Sequence, residues 1–309
     1  MERKSLIAIA IIGILAGAFI TWTAVGVFLG ETITEEEDDE EITLYISGST
    51  TCFPIIVRCA EEFEDDNDEY DIAVSGGGSS KGISDMINGL VDLGMASRPL
   101  KSSESSIAGM AQLAFAADGI ALAMSAGNTH FSSGVPQWTM EDVLKVFNGT
   151  YRYWSDVPDC SGSEQIVLVG RDSNSGTRAS FEEITGLEDD DGYAEIVGGT
   201  HSWQTIAELT SNGAVHDAVV ADKDAIGYIG LGYIDIEVDT IDLYNDAGPS
   251  GPGYYQATTA NVKSGDYPIS RNLYLIYRYA IPGDAEDFVD FIFSSKGQAI
   301  VEDEGFVKI

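Results

Sequence analysis

ITLYISGSTTCFPIIVRCAEEFEDD, residues 42–66, gives strand, small-residue turn and helix in immediate succession. Residues 42 to 47 alternate as a strand does, and Gly48 to Phe53 form the turn. Pro54 sits where a helix starts without needing its N–H, and the helix runs to about Asp65. Residues 70–100, YDIAVSGGGSSKGISDMINGLVDLGMASRPL, repeat the plan. A strand passes through Ala73 and Val74, a Gly/Ser turn spans Gly76 to Lys81, a helix reaches Leu90, and LGMAS is a short strand. Strands joined to helices by short loops make parallel βαβ units, so the fold class is α/β. The β-to-α turns then gather at the carboxyl edge of one sheet.

Farther along, GIALAMSAG from Gly119 is a strongly apolar strand, and MEDVLKVFNG at 140–149 is a short helix closed by Gly149. QIVLVGRDSNSGTRASFEEIT, 165–185, is again strand, turn and helix. Residues 202–234 give helices and a strand through Ile226 to Ile229, and 245–268 are loop-rich. RNLYLIYRYA, 271–280, is a second long apolar strand, and 284–306 supply closing helices. Two long strands bracketing a middle region predict two α/β lobes with a ligand cleft between them. The expected lobes are 42–118 plus 271–309, and 119–270.

Composition narrows the function. With 51 Asp+Glu against 16 Lys+Arg, the formal net charge of −35 repels nucleic acid and anionic membrane surfaces at long range. An anionic ligand must then be held by local geometry. The same acidity suits solubility at high salt. Residues 5–30 carry no charge and are long enough to cross a hydrocarbon core of about 30 Å. Arg3 and Lys4 precede this run and the acidic linker 31–41 follows it, which orients everything after residue 30 to the outside. The run is read as an uncleaved transmembrane anchor, with a cleaved signal segment as the alternative. Cys52, Cys59 and Cys160 make an odd count with no CxxC or Cys/His cluster, so no metal or disulfide framework is expected.

Three turns, GSTTCF, GGGSS and RDSNSGT, each follow a strand and open a helix. There, unpaired N–H groups and the helix dipole favour an oxyanion. Glycine allows close approach, Ser and Thr add donors, and Arg171 adds a planar fork for two oxygens. Each turn by itself is also an ordinary helix cap. A nucleotide P-loop is excluded, because Lys81 is followed by Gly82 and Ile83 instead of Ser or Thr.

Six segments in order, GSTTCFP, GGGSSKGI, VDLGMASRPL, ADGIALA, VFNGTYRYWSDV and GRDSNSGTRASFEE, resemble the phosphate-binding proteins of phosphate ABC importers. The resemblance covers most of residues 42–309. It implies a two-lobed type II periplasmic-binding fold that closes over one dehydrated phosphate and delivers it to membrane permease subunits. By motif, the first lobe would offer Thr50, Thr51, the Cys52–Phe53 backbone and Ser79. The second would offer Arg171, Ser175, Gly176 and Thr177. Ser97 stands where better-known members carry an aspartate that accepts a hydrogen bond from a protonated phosphate oxygen, and Arg98 beside it is either a ligand or a brace for its loop. Sulfate, molybdate or tungstate therefore remains an alternative ligand. The expected receptor is an extracytoplasmic monomer without cofactor or metal.

A secreted phosphatase would need a metal pair, or a nucleophile with a base. Ser175 is the only plausible nucleophile, and no histidine lies in its motif. His130, His201 and His216 show no ligand spacing, Trp138, Trp154 and Trp203 read as core or cleft walls, and GLEDDDGY at 186–193 reads as a solvated loop. Asp71, Asp92 and Asp118 read as backbone caps at strand ends.

Overall fold

The computed structural model describes residues 41–131 and 134–309. The apolar run 5–30 and the acidic stretch through residue 40 lie outside the described residues, so the expected anchor does too. No described helix is long and apolar enough to cross a membrane.

The first βαβ units form as their patterns require. Strand β1 (Ile42–Gly48) leads into helix α1 (Phe53–Glu64), with Pro54 in its first turn, and β2 (Tyr70–Ser75) leads into α2 (Ser79–Ile87). Strand β3 (Leu93–Ala96) is buried throughout. After the single turn α3 (Ser102–Ser105) comes β4 (Met110–Ser125), which extends well upstream of the strand expected from Gly119. Its first half, MAQLAFAAD, lacks a clean alternation of apolar and polar residues, and its alanines are a poor strand signal.

The middle region contains β5 (Gln137–Trp138), α4 (Met140–Phe147), β6 (Val167–Arg171), α5 (Gly176–Thr185), α6 (Asp191–Val197), β7 (Ile206–Leu209) and α7 (Asn212–Ala221). Strands β8 (Ala225–Gly230), β9 (Val238–Thr240), β10 (Asp242–Asn245) and β11 (Gly253–Tyr255) follow, then helix α8 (Thr259–Ser264). IAEL at 206–209, within a stretch read as helical, is a strand because it pairs in parallel with β6. Asp190, read as part of a solvated loop, caps α6 by accepting from the Tyr193 amide. The chain closes with β12 (Ser270–Arg278), α9 (Gly283–Phe293), α10 (Ser295–Asp303) and β13 (Val307–Lys308).

The strands run in the order β2-β1-β3-β12-β4-β8-β6-β7. Parallel pairs lie at both ends of this path, and antiparallel β12, β4 and β8 join them. One strand, β4, serves both halves. Residues 110–119 pair with β12, whereas 120–124 pair with β8. The packing divides at the same place. Phe115 and Ala116 enter a core with α1, α9 and α10, while Ile120, Leu122 and Met124 enter another with Phe147, Phe181 and Tyr228. Trp138 and Trp154 are fully buried in the second core, as read, and Trp203 lies under the Arg152 guanidinium. Asp118 and Gly119 therefore stand where the chain crosses between cores, opposite Arg271 and Ser270 at the start of β12.

Candidate functional site

Parallel strands place their following turns at their carboxyl ends, and here the turns after β1, β2, β3, β6, β7 and β8 converge. The turn after β1 is organised by Ser49, whose hydroxyl accepts from the amides of Thr51 (3.2 Å) and Cys52 (3.4 Å). Thr51 and Cys52 are buried, and Thr50 and Phe53 are half-buried. Burial pushes the Cys52 thiol up to about 12, which keeps it a neutral packing group.

Thr51 is the hub. Its Oγ1 lies 3.0 Å from Thr177 Oγ1, accepts from Asn212 Nδ2 at 2.8 Å, and accepts from Arg271 Nη2 at 3.2 Å. The same Nη2 donates to Thr177 Oγ1 at 3.0 Å. Arg171, at the end of β6, is 2% exposed. It donates to Asn212 Oδ1 (2.8 Å), Thr50 Oγ1 (3.0 Å), and the carbonyls of Leu209 and Thr210. Burial, with Arg271 nearby, pulls its guanidinium down to about 10, still protonated at neutral pH. Tyr233 donates to the Thr50 carbonyl at 2.6 Å.

The second layer of contacts joins α2, β3 and α5. Ser79 Oγ accepts from the Ser97 amide at 3.0 Å and lies 3.3 Å from Ser97 Oγ. Ser180 donates to the Ser97 carbonyl at 3.2 Å. Across from them Ser175 caps α5 by accepting from the Arg178 amide, and Gly176 starts the helix. A Cβ on Gly176 would come 2.1 Å from Ser79 Oγ, so only glycine fits this approach. Gly78, at φ 93°, leaves its helix without a side-chain cap, and the Asn174 carbonyl accepts from the Ser80 amide at 3.1 Å instead.

Thr50, Thr51, Cys52, Ser79, Ser97, Arg171, Ser175, Gly176 and Thr177, expected from separate stretches, are thus brought together. Two of the expected residues are engaged otherwise. The Phe53 amide donates within its own turn to the Ser49 carbonyl at 3.1 Å. Arg98 grips Glu104 with both nitrogens, at 2.7 and 2.8 Å, and also donates to Pro99 O and Ser80 Oγ. Of its two readings, the brace matches these contacts. Arg178, the other arginine of that loop, is held by Glu182 and Glu208.

Sequence reasoning missed Arg271, Asn212, Ser49 and Tyr233, and read Asp118 as a cap. Asp118 does accept from the Leu231 amide at 2.9 Å, but it is also a fully buried carboxylate paired with Arg271 at 2.9 Å. Burial pushes its carboxyl up, and Arg271 pulls the other way. The available signal was an arginine opening an apolar strand and an aspartate inside another. Their pairing needed the register of β4 against β12. His130, without ligand spacing in sequence, is buried and bonded to Asp224 at 2.7 Å. His216 gathers with Asp235 and Glu237 in an ion-pair cluster whose two carboxylates are exposed.

Chemically, the assembly is a buried set of hydroxyls, helix-start amides and two guanidinium groups, suited to hold an oxyanion. Known proteins agree with this chemistry. The Phosphate-binding protein PstS of Bacillus subtilis (strain 168) is 28% identical over 275 residues, covering 88% of this chain and 83% of that one. PstS of Borreliella burgdorferi is 28% identical over 285 residues, covering 89% and 92%. Among solved structures, a Clostridium perfringens protein described as a phosphate ABC transporter substrate-binding protein, with bound phosphate, superposes with a TM-score of 0.73. Its identity is 29%, over 86% of this chain and 99% of that one. The family model for the PBP superfamily domain matches residues 34–296, and with the mixed sheet and its converging turns this shows that the chain belongs to the PBP superfamily, with the type II periplasmic-binding fold.

Proposed function

We propose that this protein is an extracytoplasmic receptor that binds inorganic phosphate and delivers it to an ABC importer. The observation that carries the reading is the convergence of Thr51, Ser79, Ser97, Arg171, Gly176 and Thr177, from turns far apart in sequence, on one buried donor cluster. The names of the relatives supply the anion. The body works as two lobes, 42–118 with 271–309 and 119–270, hinged where β4 and β12 cross between the cores. The division of packing at Asp118 supports this boundary. Thr50, Thr51, the Cys52 backbone, Ser79 and Ser97 serve from the first lobe, with the Phe53 amide holding the turn through the Ser49 carbonyl, and Arg171, Ser175, Gly176 and Thr177 serve from the second. Arg98 orients Ser97. The apolar run 5–30 tethers the receptor to the membrane, and its partner there is the permease. The work is binding as a monomer, without metal, cofactor or chemistry.

Phosphate is preferred over sulfate because a protonated phosphate oxygen needs an acceptor. The Ser79–Ser97 hydroxyl pair offers one, since either oxygen can be the donor. A neutral acceptor facing sulfate would be left unpaired, a mismatch of about 1 to 3 kcal/mol. Titration calorimetry with phosphate, repeated in the presence of sulfate, molybdate or tungstate, tests the assignment. Phosphate should bind and sulfate at equal concentration should not displace it. Displacement by sulfate would reassign the ligand, and absence of any oxyanion binding would remove the function.

A further inference from the structure

The two buried arginines of the cluster differ in how many of their donors are used. A guanidinium has five N–H donors and no acceptor. Arg171 makes four contacts, through Nε to Leu209 O, Nη1 to Asn212, and Nη2 to Thr50 and Thr210 O. Arg271 is 8% exposed and turns Nε and Nη2 toward Asp118, with Nη2 also reaching Thr51 and Thr177. Its Nη1 is buried without a hydrogen-bond partner among the described residues. Leaving such a charged donor unpaired is costly, and it shares a rigid planar fork with the nitrogen that touches both threonine hydroxyls.

The hydroxyls point the same way. Thr51 Oγ1 accepts from both Asn212 and Arg271, which fills its two lone pairs, so its hydrogen goes to Thr177 Oγ1 at 3.0 Å; Thr177, which also accepts from Arg271, then has its own hydrogen free to donate. Both oxygens of Asp118 are engaged in turn, Oδ1 by the Leu231 amide and Oδ2 by Arg271. Its role is to hold the fork in orientation and to offset its charge while the cluster is buried.

We propose that Arg271 is a direct ligand of the bound oxyanion through Nη1, and that Asp118 is the residue that positions it. This rests on the oxyanion-receptor reading of the same cluster. Arg271 lies in the β12 crossing strand, outside all three helix-opening turns, and so would sense the anion from the hinge.

The test uses the full-length protein and inorganic phosphate in titration calorimetry, with circular dichroism and ligand-free melting as fold controls. Arg271→Gln should raise Kd at least 30-fold, and Arg271→Lys should recover only part of the loss, because an ammonium cannot keep Asp118 and the anion in the fork geometry. Should the Gln protein fail to fold, the Lys protein carries the comparison. Asp118→Asn separates positioning from repulsion: removing a negative charge near an anion would tighten binding, whereas loss of positioning weakens it. Asp118→Asn should weaken binding in the parent and have no further effect in the Arg271→Gln background. Phosphate binding in the parent that Arg271→Gln leaves unchanged overturns the assignment of Arg271 alone. Tighter binding by Asp118→Asn overturns the role of Asp118. A parent that ignores phosphate but binds another oxyanion in an Arg271-dependent way would instead overturn the phosphate reading and retain Arg271.

Discussion

Gly176→Ala is the sharpest probe of the closed cluster. The added methyl would lie 2.1 Å from Ser79 Oγ, 2.7 Å from Ser97 Oγ and 2.9 Å from Ser79 Cβ. Ser79 is fully buried and its hydroxyl is the acceptor for the Ser97 amide, so it cannot yield without breaking that bond. Overpacking of this kind costs about 1 to 3 kcal/mol, and an unpaired buried amide a further ~1 to 3 kcal/mol. The closed arrangement should lose roughly 2 to 6 kcal/mol, and about 2 kcal/mol is already a 30-fold loss in affinity. Ligand-free stability should behave differently. Gly176 is in the first turn of α5, where alanine is intrinsically better than glycine by up to about 1 kcal/mol. If the two halves separate in the absence of ligand, the methyl then meets nothing. Calorimetry should therefore show phosphate affinity falling at least 30-fold, while ligand-free melting holds or rises. Unchanged affinity would mean that Gly176 and Ser79 do not meet in the bound form. An equal fall in both quantities would mean that the contact belongs to a permanent core.

Other expectations follow from the same contacts. Asn212→Ala removes the bridge between Arg171 and Thr51, both at 2.8 Å, and leaves a buried charged donor unpaired. Melting should drop by several degrees, at about 2 to 4 °C per kcal/mol for a chain this large, and phosphate affinity should fall with it. An unchanged affinity would remove Asn212 from the support of the site. Glu104 gives a pH dependence: burial pushes its carboxyl up, but Arg98 and the Lys101 amide outweigh this and hold it below the ordinary range. Its ionised form therefore stabilises the fold above the unfolded pKa of about 4.3, and that contribution is lost as pH falls through the depressed folded value. Acid titration of melting temperature should show a steeper decline below about pH 4 in the parent than in Glu104→Gln. Parallel curves would show that the Arg98–Glu104 pair contributes nothing to stability.

The α/β class was legible because strand and helix periodicities differ and because Gly, Ser and Pro punctuate them at residues 48–54, 76–81 and 171–177. Local pattern also picked out the three Gly/Ser/Thr turns that open helices, since a helix start needs no distant partner to expose its amides. It failed where an alanine-rich stretch carries no alternation, as in the first half of β4, and where a short strand exists only through its neighbour, as in β7. The site shows the same division. Thr51, Ser79, Arg171, Gly176 and Thr177 sit in turns with their own sequence signature. Arg271 and Asp118 sit inside apolar strands, 153 positions apart, and meet only through the β4–β12 register. Asn212 likewise reads as the start of an ordinary helix until packing brings its amide against Arg171 and Thr51. Most of the secondary elements and the helix-opening turns follow from sequence, because both depend on neighbours a few residues away. Which charges face each other in the cluster was decided by tertiary structure alone, because strand register and burial are properties of the folded chain.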